Sequence, residues 1–259
     1  MNDSLGSVAT DLDVSTYALR LGDDALILGQ RLSEWAVASP ALEEDVALLN
    51  IALDFLGQAR NLLTHAAELE GLGRDEDSLA FLRDEPDFCC ALLVQTDNGD
   101  FGKTIARQLL VSAYHVHLWR ALTASTDETL AAIAAKAVKE ADYHLDHAKH
   151  WTLRLGDGTP ESHTRIQAGL DEVWPYAAEL FERDALLERL LERGVAADPD
   201  LLLPAWTATV TEVLDEATLT VPETTWQPTG GRSGKHLTTF GYLLAEMQHL
   251  HRSHPGATW

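Results

Sequence analysis

Cysteine is nearly absent. The 259 residues hold two, Cys89 and Cys90, and they are neighbours, so no disulfide framework can staple this chain. A reducing, cytosolic compartment fits that usage, and both thiols are expected to pack as small hydrophobes. Basic residues are also scarce: 19 Lys and Arg stand against 41 Asp and Glu, a formal net charge of −22. Nucleic acid and anionic membranes both need a basic footprint, and this chain lacks one. A less acidic or locally basic protein surface is the partner such a charge favours. No uncharged apolar run approaches the length that spans a bilayer. The opening "MNDSLGSVATDLDVS" shows no basic n-region followed by an apolar core, so cytoplasmic location is the expectation. Strand alternation, low-complexity tracts and short repeats are missing as well. So are the Gly-x-Ser-x-Gly elbow and the Gly-x-x-x-x-Gly-Lys-Ser/Thr phosphate loop.

Helical periodicity is what remains, and there is much of it. Apolar residues at Leu21, Ala25, Leu28, Leu32 and Trp35 follow helical spacing. Ser15 is a candidate cap for a first helix over 16–37, leaving 1–14 as a flexible N-terminal segment. A second helix is predicted over 42–70, with Glu43, Glu44 and Asp45 in its first turn and Gly71 behind it. A third spans about 101–124 and a fourth about 127–155, by the same pattern. A fifth starts at Thr159-Pro160-Glu161 and runs towards Phe181, with Pro175 predicted to kink or break it. Shorter helices follow: "DALLERLLERG" closed by Gly194, one opened by Pro199, and a last one over about 237–252. The pattern predicts an all-α bundle, with residues 15–259 as one domain. "TGGRSGKH", Thr229–His236, is Gly-rich and basic. It is read either as an anion-holding turn or, preferably, as a plain loop before the last helix.

"KEADYHLDHAKHW", residues 139–151, poses the chemical question. Carboxylates and imidazoles recur there every three or four residues. Ferritin-like di-iron bundles take a Glu from each of two helices and Glu-x-x-His from each of two others. Four carboxylates balance two ferrous ions, and two imidazoles complete the shells. This chain misses that set helix by helix. The first helix offers Glu34. The second offers Asp54, but Gly57 and Gln58 follow where a His is needed. The third has no Asp or Glu between Asp100 and Asp127, and Ser112 stands at the middle of its inward face of Ile105, Leu109, Val116 and Trp119. His115 and His117 are read as packing or surface residues. On the fourth, His144 has Ala141 three residues before it, and Glu140 has Tyr143 three residues after it. Glu140, His144 and His147 share a face, so an unusual mononuclear site on this helix is the alternative reading. A carboxylate left buried among Glu34, Asp54 and Glu140 must be paired, and Arg107, Lys136 and His144 are the candidate donors.

Eight segments carry a family resemblance. "YALRLGDDALILGQRLSEW", "LDFLGQARNLL", "DEDSLAFLRDE", "NGDFGKTIARQ", "AVKEADYHLDHAKHW", "TGGRSGKH", "LLAEMQHL" and the closing "PGATW" occur in this order over 17–259. Together they resemble the C subunits of phenylacetyl-CoA 1,2-epoxidase, the multicomponent phenylacetate-CoA oxygenase. The resemblance implies a ferritin-like helical bundle with additional C-terminal helices. It implies a structural subunit of the ring epoxidase of aerobic phenylacetate degradation, paired with a homologous catalytic A subunit and further components. The di-iron centre is then expected in the A subunit, and no cofactor in this chain. Glu34, Asp54, Ser112, Ala141 and His144 become vestigial di-iron positions. A homodimer through the docking face is expected when the chain is alone. Two other classes stand beside this one: a metalloprotein with its site on the fourth helix, and a helical binding module unrelated to oxygenases.

Overall fold

The computed structural model describes residues 2–257, with side chains over 11–257. Its ten α-helices are α1 (Asn2–Ser33), α2 (Leu42–Glu70), α3 (Glu76–Phe81), α4 (Leu92–Gln95), α5 (Phe101–Leu122), α6 (Glu128–Gly156), α7 (Pro160–Val173), α8 (Ala185–Glu192), α9 (Pro199–Glu216) and α10 (Phe240–Ser253). No strand occurs among the described residues.

Local chemistry sets most of these boundaries. Asp100, Asp127, Asp184 and Asp198 are N-caps whose carboxylates accept from the first free N–H groups of α5, α6, α8 and α9. Thr159 and Ser162 close a reciprocal capping box ahead of α7, with Pro160 at its first turn. Gly71 ends α2 in the left-handed region, φ 68°, and its N–H donates to the Ala67 carbonyl. Pro175 breaks the α7 pattern as the sequence predicts: the helix stops at Val173, and 3-10 turns continue over Trp174–Phe181. One boundary differs. Ser15 does not cap α1. The helix already runs from Asn2, where a flexible segment 1–14 is the sequence expectation, and the Ser15 hydroxyl donates to the Ala66 carbonyl at 2.7 Å, inside the α1–α2 interface.

The four long helices α1, α2, α5 and α6 form the bundle. Short connections make α1–α2 and α5–α6 neighbouring antiparallel hairpins, and the long 71–100 segment with α3 and α4 crosses between them. Helix α5 is the central one: from Gly102 to Trp119 nearly every residue is buried. Its exposed sides are covered by C-terminal helices. Helix α7 crosses it at Gly169, where any Cβ would collide with Lys103 Cα. Helix α9 lies against it through Trp206, whose Nε1 donates to the Leu110 carbonyl at 2.8 Å. Helix α8 is tied to α1 by Arg189–Asp13 and by Arg20 to the cap Asp184. Helix α10 holds α3, with Gln248 donating to the Ala80 and Arg83 carbonyls. Both thiols are free, Cys90 fully buried and Cys89 half-buried. Among the described residues no helix is long and apolar enough to cross a membrane. Of the closing "PGATW", Thr258 and Trp259 lie outside the described residues.

Candidate functional site

The bundle centre between α2, α5 and α6 is where a ferritin-like protein keeps its metal. Helix α6 turns a face of Leu130, Ala134, Ala137, Ala141, His144 and Ala148 inward, a helical repeat that leaves His144 as its one polar member. His144 Nε2 lies 3.0 Å from Asp54 Oδ2 on α2. One turn on, His147 Nε2 lies 2.9 Å from Glu44 Oε2. Glu140 accepts from Gln58 Nε2 at 2.8 Å and pairs with Lys136 at 3.4 Å. The Phe55 ring packs on His144 and on His115 of α5, with centroids 4.8 and 5.7 Å away. Burial pushes the His115 imidazole down to about 3, with a further push from His144, so it is neutral. Ser112 is fully buried one turn before it.

The structure therefore brings Asp54, Ser112, Ala141 and His144 to the same three helices, and leaves Glu34 out. Glu34 falls just beyond the end of α1, where Arg31 donates to it at 3.0 Å and Asn98 at 2.9 Å. It is a helix-end residue and not the inward-facing acid of a first bundle helix. None of the three carboxylates is buried, so the pairing expectation for buried acids has no case to decide: Asp54 is half-buried beside His144 and Glu140 is half-buried beside Lys136. Glu34 takes Arg31 in place of Arg107. Arg107 is fully buried and donates to Thr96 O and Asn98 Oδ1. Burial pushes its guanidinium down to about 9, with help from Arg31.

These residues do not fit a di-iron centre. The two carboxylates near His144 are each engaged by a side chain, and Ser112 and Ala141 supply no ligand where acids are needed. The alternative grouping of Glu140, His144 and His147 does not form either. The two imidazoles bond different α2 carboxylates, and Glu140 bonds Gln58 and Lys136. Among the described residues no three His, Cys, Asp or Glu gather around one point.

A second polar centre escapes the sequence reading. Asp23 and Asp24 sit side by side, buried, in the middle of α1. Asp23 pairs with the buried Arg83, which lies over the Phe88 ring at 4.1 Å, and accepts from Cys89 N at 2.8 Å. Asp24 takes Arg232 at 2.7 Å and Ala91 N at 2.8 Å. Burial pushes the Asp24 carboxyl up against the pull of Arg232. Glu179, turned inward by the 3-10 stretch after Pro175, accepts Leu92 N at 2.5 Å on Oε2, and Gly230 N at 2.8 Å and Gly231 N at 2.7 Å on Oε1. The "TGGRSGKH" turn does hold an anion, and the anion is this chain's own carboxylate. Gly231 is required there, because a Cβ would strike the Cys90 carbonyl. The available signal is "LGDDALILG": two acids embedded in an apolar helical run must find cations.

Fold and centre together define a class: an all-α protein with a ferritin-like helical bundle. The chain matches the model of the phenylacetic acid catabolic protein family over residues 6–259. It is 50% identical over 246 residues to the C subunit of 1,2-phenylacetyl-CoA epoxidase from Escherichia coli (strain K12), covering 95% of this chain and 99% of that one. It belongs to the phenylacetic acid catabolic protein family.

Proposed function

We propose that the chain is the C subunit of a 1,2-phenylacetyl-CoA epoxidase, and that it is the non-catalytic partner of a homologous A subunit that holds the di-iron centre. The likeness to the Escherichia coli protein runs over nearly the full length of both chains, and that supports the assignment to the complex. The observation that carries the non-catalytic role is the bundle centre: Ser112 and Ala141 at ligand positions, with Asp54 and Glu140 already engaged by His144 and Gln58. Oxygen activation and electron uptake then belong to the A subunit and a reductase component.

A docking role also has a surface to work with. Leu42, Val46 and Leu53 of α2 are spaced by four and seven residues, share one face, and are 75%, 54% and 63% exposed. Stable interfaces bury about 1,200–2,000 Å² around such apolar centres. The net charge of −22 calls for a partner surface less acidic than this one.

The test is reconstitution with phenylacetyl-CoA, NADPH and the reductase, reading epoxide formed. This chain with the reductase gives none; adding the A subunit gives turnover. Full activity of the A subunit and reductase without this chain refutes the scaffold role. Turnover by this chain without the A subunit refutes the non-catalytic one.

A further inference from the structure

Helix α5 carries a polar stripe that no structural role absorbs. Gln108, Ser112, His115 and Trp119 recur at spacings of four, three and four and are 2%, 0%, 5% and 1% exposed. That spacing puts them on one helix face. Both amide atoms of Gln108, Ser112 Oγ, His115 Nδ1 and Trp119 Nε1 are buried without a hydrogen-bond partner in the protein. Across from them, Gln58 Oε1 on α2 and His144 Nδ1 on α6 are in the same condition. The α6 face beside His144 offers only the methyl groups of Ala137 and Ala141.

Two details mark these atoms as uncommitted to the protein's own bonding. The first is Ser112. Several hydroxyls inside helices of this chain bond back to the carbonyl four residues earlier, as Ser33 does to Gly29, Thr152 to Ala148 and Thr207 to Leu203, each at 2.8 Å, while Ser15 and Thr104 find carbonyls elsewhere. Ser112 does not, although Gln108 O is available to it. The second is His144. Its Nε2 faces the Asp54 carboxylate at 3.0 Å, which leaves Nδ1 turned the other way with no partner in the protein. His115 is neutral, which leaves it one donor and one acceptor. The cluster therefore holds a donor at Trp119, an acceptor at Gln58, both kinds at Gln108, and groups that do either at Ser112 and His115, with His144 Nδ1 beside them.

We infer that this centre is a binding site for ordered water, two or more molecules held by Ser112, His115, His144, Gln108 and Gln58 between α2, α5 and α6. Buried polar atoms are paired almost without exception, and a buried water typically serves about three of them. Water suits this set better than a cation. Gln58, Gln108, Ser112 and His115 carry no charge, the carboxylates nearby are engaged, and water alone satisfies donors and acceptors together. The inference concerns the interior of the chain and stands whether or not the epoxidase reading does.

A crystal structure of the full chain at a resolution that shows solvent tests it, joined to nitrogen NMR of the imidazoles. Density for water within hydrogen-bond distance of Ser112 Oγ and His144 Nδ1, with the His115 ring resonating as a neutral imidazole, is the expected result. A dry centre overturns the inference, and so does an anomalous signal from a metal at His144 or His115. Ser112→Ala gives an independent sign. If the hydroxyl holds water, its removal lowers Tm by about 2–4 °C, the shift of one lost hydrogen bond in a chain of this size. If the hydroxyl is a dry orphan, its removal raises Tm, which refutes the site.

Discussion

Removing the Glu179 carboxylate tests whether the C-terminal loop is structural. Glu179 is 2% exposed and receives three backbone N–H groups, from Leu92, Gly230 and Gly231. In Glu179→Ala all three lose their acceptor. Leu92 and Gly231 are buried and stay unpaired, while the half-buried Gly230 regains water. A stranded buried donor costs about 1–3 kcal/mol, and bonds to a charged acceptor lie at the upper end. The loss is then about 3–5 kcal/mol, out of a total that is typically about 5–15 kcal/mol. Glu179→Gln refines the test. The two glycines share Oε1, so one amide oxygen still serves both. The amide nitrogen then faces the Leu92 N–H, donor against donor, and the loss is about half as large. Urea unfolding of the two variants measures these numbers, and hydrogen exchange at Leu92, Gly230 and Gly231 locates them. A Glu179→Ala protein within about 1 kcal/mol of the parent, with those amides still protected, would show that the carboxylate is not what holds the loop.

Three further outcomes are expected. Asp23→Ala leaves the buried Arg83 guanidinium unpaired and lowers stability by about 3–5 kcal/mol, while Asp23→Leu with Arg83→Met recovers part of it; equal losses in both refute a charge origin. His115 gives a pH signature. Its folded value of about 3 lies below the ordinary 6.5, so the unfolded state binds the proton first. Its contribution is complete above about pH 6.5 and falls as pH drops towards 3, by about 2 kcal/mol at pH 5. His115→Phe removes that slope, and urea midpoints of parent and variant that fall in parallel from pH 7 to pH 5 contradict the assignment. Gly169→Ala pushes α7 off Lys103 and lowers stability by about 1–3 kcal/mol, read as a Tm drop; an unchanged Tm means that the crossing has slack.

The sequence made α2 legible from Leu42 to Glu70 because its signals are local: three acids in the first turn and a glycine at the αL position behind. Pro175 ends α7 for an equally local reason. The start of α1 was not legible, because the partner of Ser15 is a carbonyl 51 residues away and not an N–H of its own helix. The same limit explains the loop at 229–236. Its composition reads as free chain, and only the arrival of Glu179 and Asp24 from other elements makes it fixed. At the bundle centre, Ser112 and Ala141 are legible from residue type alone as side chains without a carboxylate, since no fold supplies one. Glu34 was misplaced because the helix ends at Ser33, a boundary that periodicity does not resolve. The polar stripe on α5 went unread because Gln108, Ser112, His115 and Trp119 each look ordinary until burial is known.

Asp24 and Arg232 are 208 residues apart in the chain. On a ribosome adding about 5–20 residues per second, the acid waits about 10–40 s for its cation. Arg83 reaches Asp23 long before Arg232 reaches Asp24, and for the time between α1 carries one carboxylate, Asp24, that it cannot bury at low cost. Asp24 therefore stays without its cation until the chain is nearly made, and the last ion pair of α1 forms with a residue late in the sequence. A chain cut short before Arg232 keeps every long helix and still lacks the cation that lets the first of them settle.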